Sequence, residues 1–372
     1  MKILTPSPAE LQLGPRATPI SFIRAIVRAY HAGGMNPANA LQQARISPEA
    51  LAKPDARVTA AQMEAMSGIA MQELDDEALG WFSRRLPWGS YGMLCRASLT
   101  APTLEIALKR WCRHHRLLTE DIVLDFSQQR GLAQINLHET TARPGQARVA
   151  PCDEMRELCL VSSLRYLLGY ACWLIDSRIA LSETTLPFPA PPHADAYRYL
   201  FPGPLRFAAE RAGLSFDARY LSLPLRRDEP ALQAMLQRAL PLTVLQYRRD
   251  RLLVHSVSQL LASDPSAAHT AEDIAAQLNM SARTLHRQLK EEGVSLQHLK
   301  NEARQAHATR LLLQTRKPIK QIAAAVGFDS EKSFARAFRT WTGVAPSQFR
   351  EEETGRFTSA PPQTPPPAAA HG

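Results

Sequence analysis

Seven basic side chains recur with helical spacing in the C-terminal part of the sequence. The first group is Arg283, His286, Arg287 and Lys290, and the second is Lys332, Arg336 and Arg339. Residues spaced by three or four positions share one face of a helix. Guanidinium and ammonium groups on such a face donate hydrogen bonds to phosphate oxygens and to the N7 and O6 atoms of guanine. A single basic face is as often merely solvated, so the case for nucleic-acid binding depends on finding two.

The two basic faces belong to a sequence unit that is repeated. The run Ile274–Ala276 recurs as Ile322–Ala324 at an offset of 48 residues, and after one inserted residue the offset becomes 49. In each unit the run is followed by Asn279 or Gly327, residue types that accept the left-handed backbone of a sharp turn. The repeat therefore predicts two helix-turn-helix units, each with a basic face on its second helix.

Local signals mark the ends of these predicted helices. Ser281 and Ser330 are suited to cap the second helix of each unit at its N-terminus. Thr270 with Asp273 resembles a capping pair that opens the first unit, and Pro318 suits the first turn of the second. The positions opposite the basic faces are apolar, namely Leu285, Leu289, Phe334, Phe338 and Trp341. Each second helix is therefore predicted to bury one face and expose the other.

The segment that joins the units reads as one continuous helix from Ser295 to Gln314. At about 1.5 Å per residue such a helix spans on the order of 30 Å. Successive major-groove faces of B-DNA lie about 34 Å apart. The two second helices are therefore predicted to enter adjacent segments of the major groove on one face of the duplex. A basic balance of 14 Lys and Arg against 8 Asp and Glu over residues 251–350 agrees with this interpretation.

The run KPIKQIAAAVGFDSEKSFARAFRTWTGVAPSQFR, Lys317–Arg350, resembles the signature of the AraC/XylS family of bacterial transcription regulators. The resemblance covers the double unit from about Leu252 to Arg350. The front of the chain is similar to the arabinose-binding-type effector domain of one subgroup of that family. The segments that carry this second similarity are Ser90–Leu108 and Leu205–Leu221.

The resemblance implies a one-component regulator, in which a sensory domain controls a DNA-binding domain. By position, Arg283, His286 and Arg287 would read bases from the first unit. Lys332 and Arg336 would do so from the second. The implied partners are double-stranded promoter DNA, RNA polymerase, a small-molecule effector and a second copy of the chain, and no cofactor is implied. The regulator is expected to be an activator.

The length of 372 residues and the net charge of +9 fit two domains and an anionic partner. The predicted fold class is an α+β sensory domain followed by an all-α DNA-binding domain of two helix-turn-helix units joined by a long helix. The predicted division is a flexible N-terminus over 1–19, an effector-binding domain over 20–229, a helical linker over 230–262, the double helix-turn-helix over 263–353 and a disordered Pro-rich tail over 354–372.

Strands are predicted in the second half of the sensory domain. Alternating residues over Asp121–Phe126 and Leu132–Leu137 predict a hairpin around Ser127–Gly131. A strand is expected over Arg178–Leu186. A second hairpin is predicted from Leu205–Ala208 and Gly213–Phe216, again by alternation. Helices are expected before the first hairpin, beginning with Ile20–His31, and between the first hairpin and the strand.

The helix over Asp153–Ile175 is the most membrane-like part of the sequence. Arg165 stands near its middle, and a central arginine costs roughly 2.5–3.5 kcal/mol in a membrane. A buried core helix and no membrane span are therefore predicted. The first residues contain no apolar segment typical of a secretory signal, so a cytoplasmic protein is expected. The five cysteines, at positions 95, 112, 152, 159 and 172, are predicted to be free buried thiols.

A few residues of the N-terminal part suggest catalysis or metal binding as alternatives to DNA binding. Cys112 with His114 and His115 suggests a metal site, but adjacent histidines on a helix diverge by about 100°. No motif of a nucleotide-binding loop, a serine hydrolase or a zinc protease is present. The alternative class is a DNA-repair enzyme fused to an AraC-like module, although Cys152 is followed by Asp153 and Glu154 rather than by His-Arg. A structural DNA-binding protein without sequence preference is a third alternative. Neither catalytic residues nor metal ligands are predicted.

Overall fold

The computed structural model describes residues 10–12, 16–140, 153–238, 250–264 and 269–351. Packing divides the chain into two compact units, Met1–Leu252 and Leu253–Gly372. The predicted Pro-rich tail and Cys152 lie outside the described residues. Most of the predicted flexible N-terminus lies outside them too, but Leu11 is buried in the core and Thr18–Pro19 forms a short strand.

Helices dominate the first part of the N-terminal unit as expected, and the first of them lies within one residue of the predicted range Ile20–His31. They are α1 (Ile20–Ala32), α2 (Ala38–Gln43), α3 (Pro48–Ala52), α4 (Ala60–Glu73), α5 (Ser90–Leu99) and α6 (Leu104–Leu118). Between them, β1 (Thr18–Pro19) pairs with β2 (Arg57–Val58). Helix α4 begins at a complete capping box, in which Thr59 and Gln62 bond to each other's backbone N–H groups.

Five strands form a single sheet in the order β3-β4-β7-β5-β6. They are β3 (Ile122–Gln129), β4 (Leu132–Glu139), β5 (Leu181–Thr185), β6 (Leu205–Arg206) and β7 (Ala212–Asp217). The first predicted hairpin is confirmed, but its turn is only Arg130–Gly131, because Gln129 already pairs with Leu132. Both turn residues have positive φ, of 49° and 79°, which lets a two-residue turn join twisted strands.

The second predicted hairpin is wrong. Strands β6 and β7 do not pair, because β5 lies between them, parallel to β6 and antiparallel to β7. The residues that follow β6 instead form backbone hydrogen bonds with the segment that follows β5, where the N–H of Ala208 donates to the carbonyl oxygen of Phe188. Strand β7 is central, and a Cβ at Gly213 would stand 2.7 Å from Oδ1 of Asn136 on β4. Glycine therefore permits the close approach of the neighbouring strand.

Helix α7 (Asp153–Ile175) is the core helix of the N-terminal unit. By length and composition, Glu154–Ile175 could cross a membrane, but 83% of its most apolar window is buried inside the unit, against α1, α6 and β7. A mostly buried helix of this kind is typical of a protein core. Arg165 is itself buried, with its guanidinium carbon 5.7 Å from the centre of the Phe201 ring, and burial lowers its pKa to about 10.

The boundary between the units differs from the predicted one. Helices α8 (Tyr197–Leu200) and α9 (Glu229–Leu236) belong to the N-terminal unit, and α9 buries Leu232 and Leu236 in its core. Residues 239–249 of the predicted linker lie outside the described residues. Helix α10 (Leu252–Ser263) instead packs Val257 and Leu261 into the core of the first helix-turn-helix. An apolar face on α10 therefore moves the start of the C-terminal unit to before residue 263.

Five further helices complete the C-terminal unit. They are α11 (Ala271–Gln277), α12 (Ala282–Glu291), α13 (Leu296–Gln314), α14 (Ile319–Ala325) and α15 (Glu331–Thr342). Two separate apolar cores form around them, one from α10–α13 and one from α13–α15. Helix α13 serves both cores, since Leu296 and Leu299 belong to the first and Ala308 and Leu312 to the second. The predicted joining helix is thus confirmed, with Ser295 as its N-cap.

Candidate nucleic-acid interface

The first helix-turn-helix is formed by α11 and α12. Asn279 has a φ of 54°, which places the turn in the left-handed region as predicted. The hydroxyl oxygen of Ser281 accepts a hydrogen bond from the backbone N–H of Thr284 at 3.1 Å and so caps α12. The capping box predicted from Thr270 and Asp273 is also present at the start of α11. Local side-chain chemistry therefore fixes where α12 begins.

The second helix-turn-helix is formed by α14 and α15 and repeats this design. Gly327 has a φ of 77°, and the hydroxyl oxygen of Ser330 accepts from the backbone N–H of Ser333 at 3.2 Å. Pro318 is the N-cap of α14 rather than a residue of its first turn. Phe328 fills the turn, with its ring centre 5.6 Å from that of Phe334. The guanidinium carbon of Arg304 lies 5.4 Å from the centre of the Phe328 ring.

Both second helices bury one apolar stripe and expose the opposite face. Leu285 and Leu289 of α12 are buried, as are Phe334 and Phe338 of α15, while Trp341 packs partly buried against the same core. The exposed face of α12 holds Arg283, His286, Arg287 and Lys290, and that of α15 holds Lys332, Arg336 and Arg339. All seven residues named from the sequence are thus open to solvent on helices that their own cores hold in place.

The two basic faces differ in one respect that matters for binding. A guanidinium nitrogen of Arg287 lies 2.8 Å from a carboxylate oxygen of Glu291, four residues further along α12. Both side chains are about 60% exposed, at 62% and 60%. Over residues 269–351, the side chains of Lys332, Arg336 and Arg339 form no ion pair with a carboxylate. Sequence reasoning missed the role of Glu291, although the i, i+4 spacing of opposite charges was visible.

Further basic groups lie around the second unit. The guanidinium of Arg310 is 2.7 Å from Nδ1 of His307. Burial, together with the charges of Arg310 and Lys317, lowers the pKa of His307. The two cations add to the effect of burial because they disfavour a further positive charge beside them. Lys320 is exposed on α14, outside the basic face of α15.

Arg350, the last residue of the family-like run, has a structural position. Its guanidinium donates to the carbonyl oxygens of Leu312 and Lys317, which end α13 and begin the connection to α14. These bonds tie the C-terminal end of the second unit to its joining helix. Arg350 is therefore assigned to the scaffold of the unit rather than to its basic face.

The four described cysteines of the N-terminal unit are free and buried. Burial raises the pKa of the Cys95 and Cys112 thiols to about 12 and that of Cys172 to about 11. Thiols with such values are uncharged at neutral pH and poorly nucleophilic. Among the residues that the structure describes, no group of three metal-ligating side chains is close enough to hold an ion.

Comparison with known proteins identifies the class of protein that this fold and this surface define. A model of the arabinose-binding N-terminal domain of AraC transcription regulators matches residues 34–225, and a helix-turn-helix domain model matches residues 274–352. The first match alone covers more than half of the chain. The chain therefore belongs to the AraC family and is a helix-turn-helix transcription regulator with an arabinose-binding-type effector domain. The repair-enzyme alternative finds no support in these matches.

Individual relatives agree with this family. The chain is 26% identical over 334 residues to the ornithine utilization regulator of Pseudomonas aeruginosa, covering 90% of this chain and 96% of that protein. It is 31% identical over 157 residues to the regulator VirS of Mycobacterium tuberculosis, covering 42% and 45%.

Solved structures of regulators are also similar to the chain. CdpR of P. aeruginosa is 20% identical with a TM-score of 0.32, covering 85% of this chain and 96% of that one. The DNA-binding domain of AdpA, solved with a target DNA, is 26% identical with a TM-score of 0.26, covering 29% and 97%.

Proposed function

We propose that this protein is a one-component transcription regulator that reads promoter DNA with α12 and α15 under the control of a small-molecule effector. The observation that carries this proposal is the pair of exposed basic faces at matching positions of two helix-turn-helix units. A basic face that was merely solvated would not be expected to recur at matching positions of both helix-turn-helix units. Each face also begins at a capped helix N-terminus, which points backbone N–H groups toward an anionic partner.

Each recognition helix is proposed to occupy its own segment of the major groove. Arg283, His286 and Arg287 would read bases from α12, and Lys332 and Arg336 from α15. Lys290 and Arg339, one turn further along each helix, would contact the phosphate backbone. The 19 residues of α13 span about 28 Å at about 1.5 Å per residue, close to the repeat of the groove. The operator is therefore proposed to contain two half-sites about one helical turn apart.

The finer parts of the function are proposed from the family. We propose an activator that contacts RNA polymerase, acts in the cytoplasm as a homodimer and performs no catalysis. The relative that matches nearly the whole chain is named for ornithine utilization, which supports a metabolic effector and a set of metabolic target genes. The division into an effector domain and a DNA-binding domain supports a response in which the effector alters DNA binding or activation.

A selection of random-sequence duplex DNA with the full-length protein tests the proposal. The expected result is an enriched motif with two informative blocks about one helical turn apart. The selected DNA should then bind at least tenfold more tightly than a shuffled sequence at the same salt concentration. A protein that enriches no motif but still binds DNA would be a structural DNA-binding protein, and the proposed function would be wrong.

A further inference from the structure

The N-terminal unit contains a cavity of about 160 Å³. It is lined by residues of α4, the loop between α4 and α5, the start of α5, the middle of α7 and one residue of α9, Leu236. An apolar cavity of about 150 Å³ accommodates a molecule of the size of benzene. The volume therefore suits a compact ligand of fewer than ten non-hydrogen atoms.

Aromatic side chains form much of the cavity wall, namely Trp81, Phe82, Trp88, Tyr91 and Tyr166. The Trp81 and Phe82 rings stack with centres 5.0 Å apart, and the Tyr91 and Tyr166 rings meet edge to face at 5.3 Å. The hydroxyl of Tyr91 lies 3.3 Å from Nε2 of His115, and that of Tyr166 lies 3.5 Å from Sγ of Cys95. His115 and Cys95 do not line the cavity, so both tyrosines contribute their rings rather than their hydroxyls to the cavity wall.

Among the described residues that line the cavity, Glu77 is the one carboxylic acid, and none is a lysine, arginine or histidine. Its two carboxylate oxygens accept hydrogen bonds from the backbone N–H groups of Gly89 and Tyr91, at 2.8 and 2.7 Å. These bonds hold the carboxylate in place and leave each oxygen with a second lone pair. Burial raises the pKa of Glu77, and the charges of Asp76 and Asp75 raise it further, while the two backbone hydrogen bonds act in the opposite direction.

Two tryptophans of the cavity wall each carry an indole N–H that is bonded to no described residue. Trp81 is 5% exposed, and its indole N–H has no acceptor among the residues that the structure describes. The indole N–H of Trp88 is in the same condition. Buried hydrogen-bond donors nearly always have an acceptor. Two unsatisfied N–H groups on the wall of one cavity therefore favour a ligand that brings an acceptor. A ligand that carries a hydroxyl or carbonyl oxygen beside its charge would supply one.

We propose that this cavity is the effector site and that it takes a small organic ammonium ion, held by the Glu77 carboxylate and the surrounding aromatic rings. The inference rests on the proposed function, in which the N-terminal unit binds an effector. Aromatic rings attract ammonium groups. The buried Glu77 carboxylate, which has no cation among the described lining residues, would balance the positive charge of the ligand. A sugar fits less well, because its many hydroxyl groups would need more polar partners than this wall provides.

Leu236 is the residue through which a bound ligand would influence the DNA-binding unit. Among the helices that the structure describes, α9 is the last that belongs to the N-terminal unit, and Leu236 is its last residue. A ligand in the cavity would contact α9 directly. The DNA affinity of the full-length protein is therefore expected to change when the cavity is filled.

Matched probes that differ only in charge test the proposal. Choline is compared with its uncharged carbon analogue 3,3-dimethylbutan-1-ol, and butylammonium with butan-1-ol and with the anion butyrate. Binding to the full-length protein is measured by calorimetry and by quenching of tryptophan fluorescence. At least one of the two cations should bind at least about tenfold more tightly than its uncharged counterpart, and butyrate should bind no better than butan-1-ol. If neither cation exceeds its counterpart, or if no probe binds, the proposal is wrong.

Two variants and one control assign the preference to this site. Glu77→Gln should bring the ratio of cation to neutral affinity to within about twofold, while Glu210→Gln, which removes an exposed charge outside the cavity lining, should leave the ratio unchanged. If Glu77→Gln fails to fold, Trp88→Leu at the half-exposed rim should weaken cation binding by several fold. An unchanged ratio in a folded variant contradicts the site. Specific DNA binding that persists without any ammonium binding would refute the effector inference and leave the proposed DNA-binding function standing.

Discussion

Arg336→Ala and Arg287→Ala are predicted to weaken cognate DNA binding to different extents. A bidentate contact between arginine and guanine contributes about 1–3 kcal/mol of discrimination. Arg336 forms no ion pair within residues 269–351, so it would lose this contribution in full. Arg287 must first leave Glu291, and an exposed pair of this kind contributes about 0.3–0.5 kcal/mol. We therefore expect a loss of roughly ten- to a hundredfold for Arg336→Ala and a loss about twofold smaller for Arg287→Ala.

The same reasoning predicts a gain of affinity from a third variant. Glu291→Gln releases Arg287 and removes a negative charge from the DNA-facing helix, so cognate DNA should bind about twofold more tightly. Lys300→Ala and Lys320→Ala serve as controls, because both residues lie outside the recognition faces. They should weaken cognate and random DNA evenly and reduce the dependence of affinity on salt.

Competition gel shifts on the selected operator and on a shuffled sequence, at one fixed salt concentration, measure these effects. The ratio of the two affinities is the quantity that reports base reading. Equal losses on both sequences for Arg287→Ala and Arg336→Ala would make these residues phosphate contacts. No loss in either variant would remove the model of two recognition helices.

Three other predictions concern folding. A fragment over 248–353 should fold and bind the selected DNA, as followed by circular dichroism and gel shift, whereas one over 264–353 should not, because it lacks Val257 and Leu261 of the first core. Acid should destabilise the N-terminal unit: burial lowers the pKa of His115 from 6.5 to about 4, so the unfolded chain binds the extra proton first. In urea titrations about 3 kcal/mol of stability should be lost between those pH values and much less in His115→Gln. Ser330→Ala should cost about 1 kcal/mol of unfolding free energy, and Ser333→Ala, which retains the N–H that the cap binds, should cost less.

The helix-turn-helix units could be predicted from the sequence because their signals are local. A capping serine, a residue that accepts positive φ and an apolar stripe lie within about ten residues of one another in each unit. Each signal affects only the residues close to it in the sequence. The repeat provides the same evidence twice, once in each unit. Ser281 and Asn279 therefore have the same roles in the structure as in the sequence.

The sheet and the cavity could not be predicted in this way. The insertion of β5 between β6 and β7 depends on pairing between Thr184 and two strands that are distant in the sequence. Alternation identifies a strand but carries no information on its neighbour. The cavity likewise joins Glu77 to residues of α7 and α9 that lie far along the chain. No pattern of sequence spacing predicts that residues so far apart will line one cavity.

Methylation of guanine N7 on the selected operator, followed by binding of the full-length protein, tests the central claim most directly. Arginine contacts to guanine in the major groove use N7, so methylation at a contacted base blocks binding. Wild-type protein should show two clusters of interference about one helical turn apart. Arg287→Ala should lose interference in one cluster only and Arg336→Ala in the other only. A single cluster, or loss of the same guanines in both variants, would contradict the reading of DNA by two separate recognition helices.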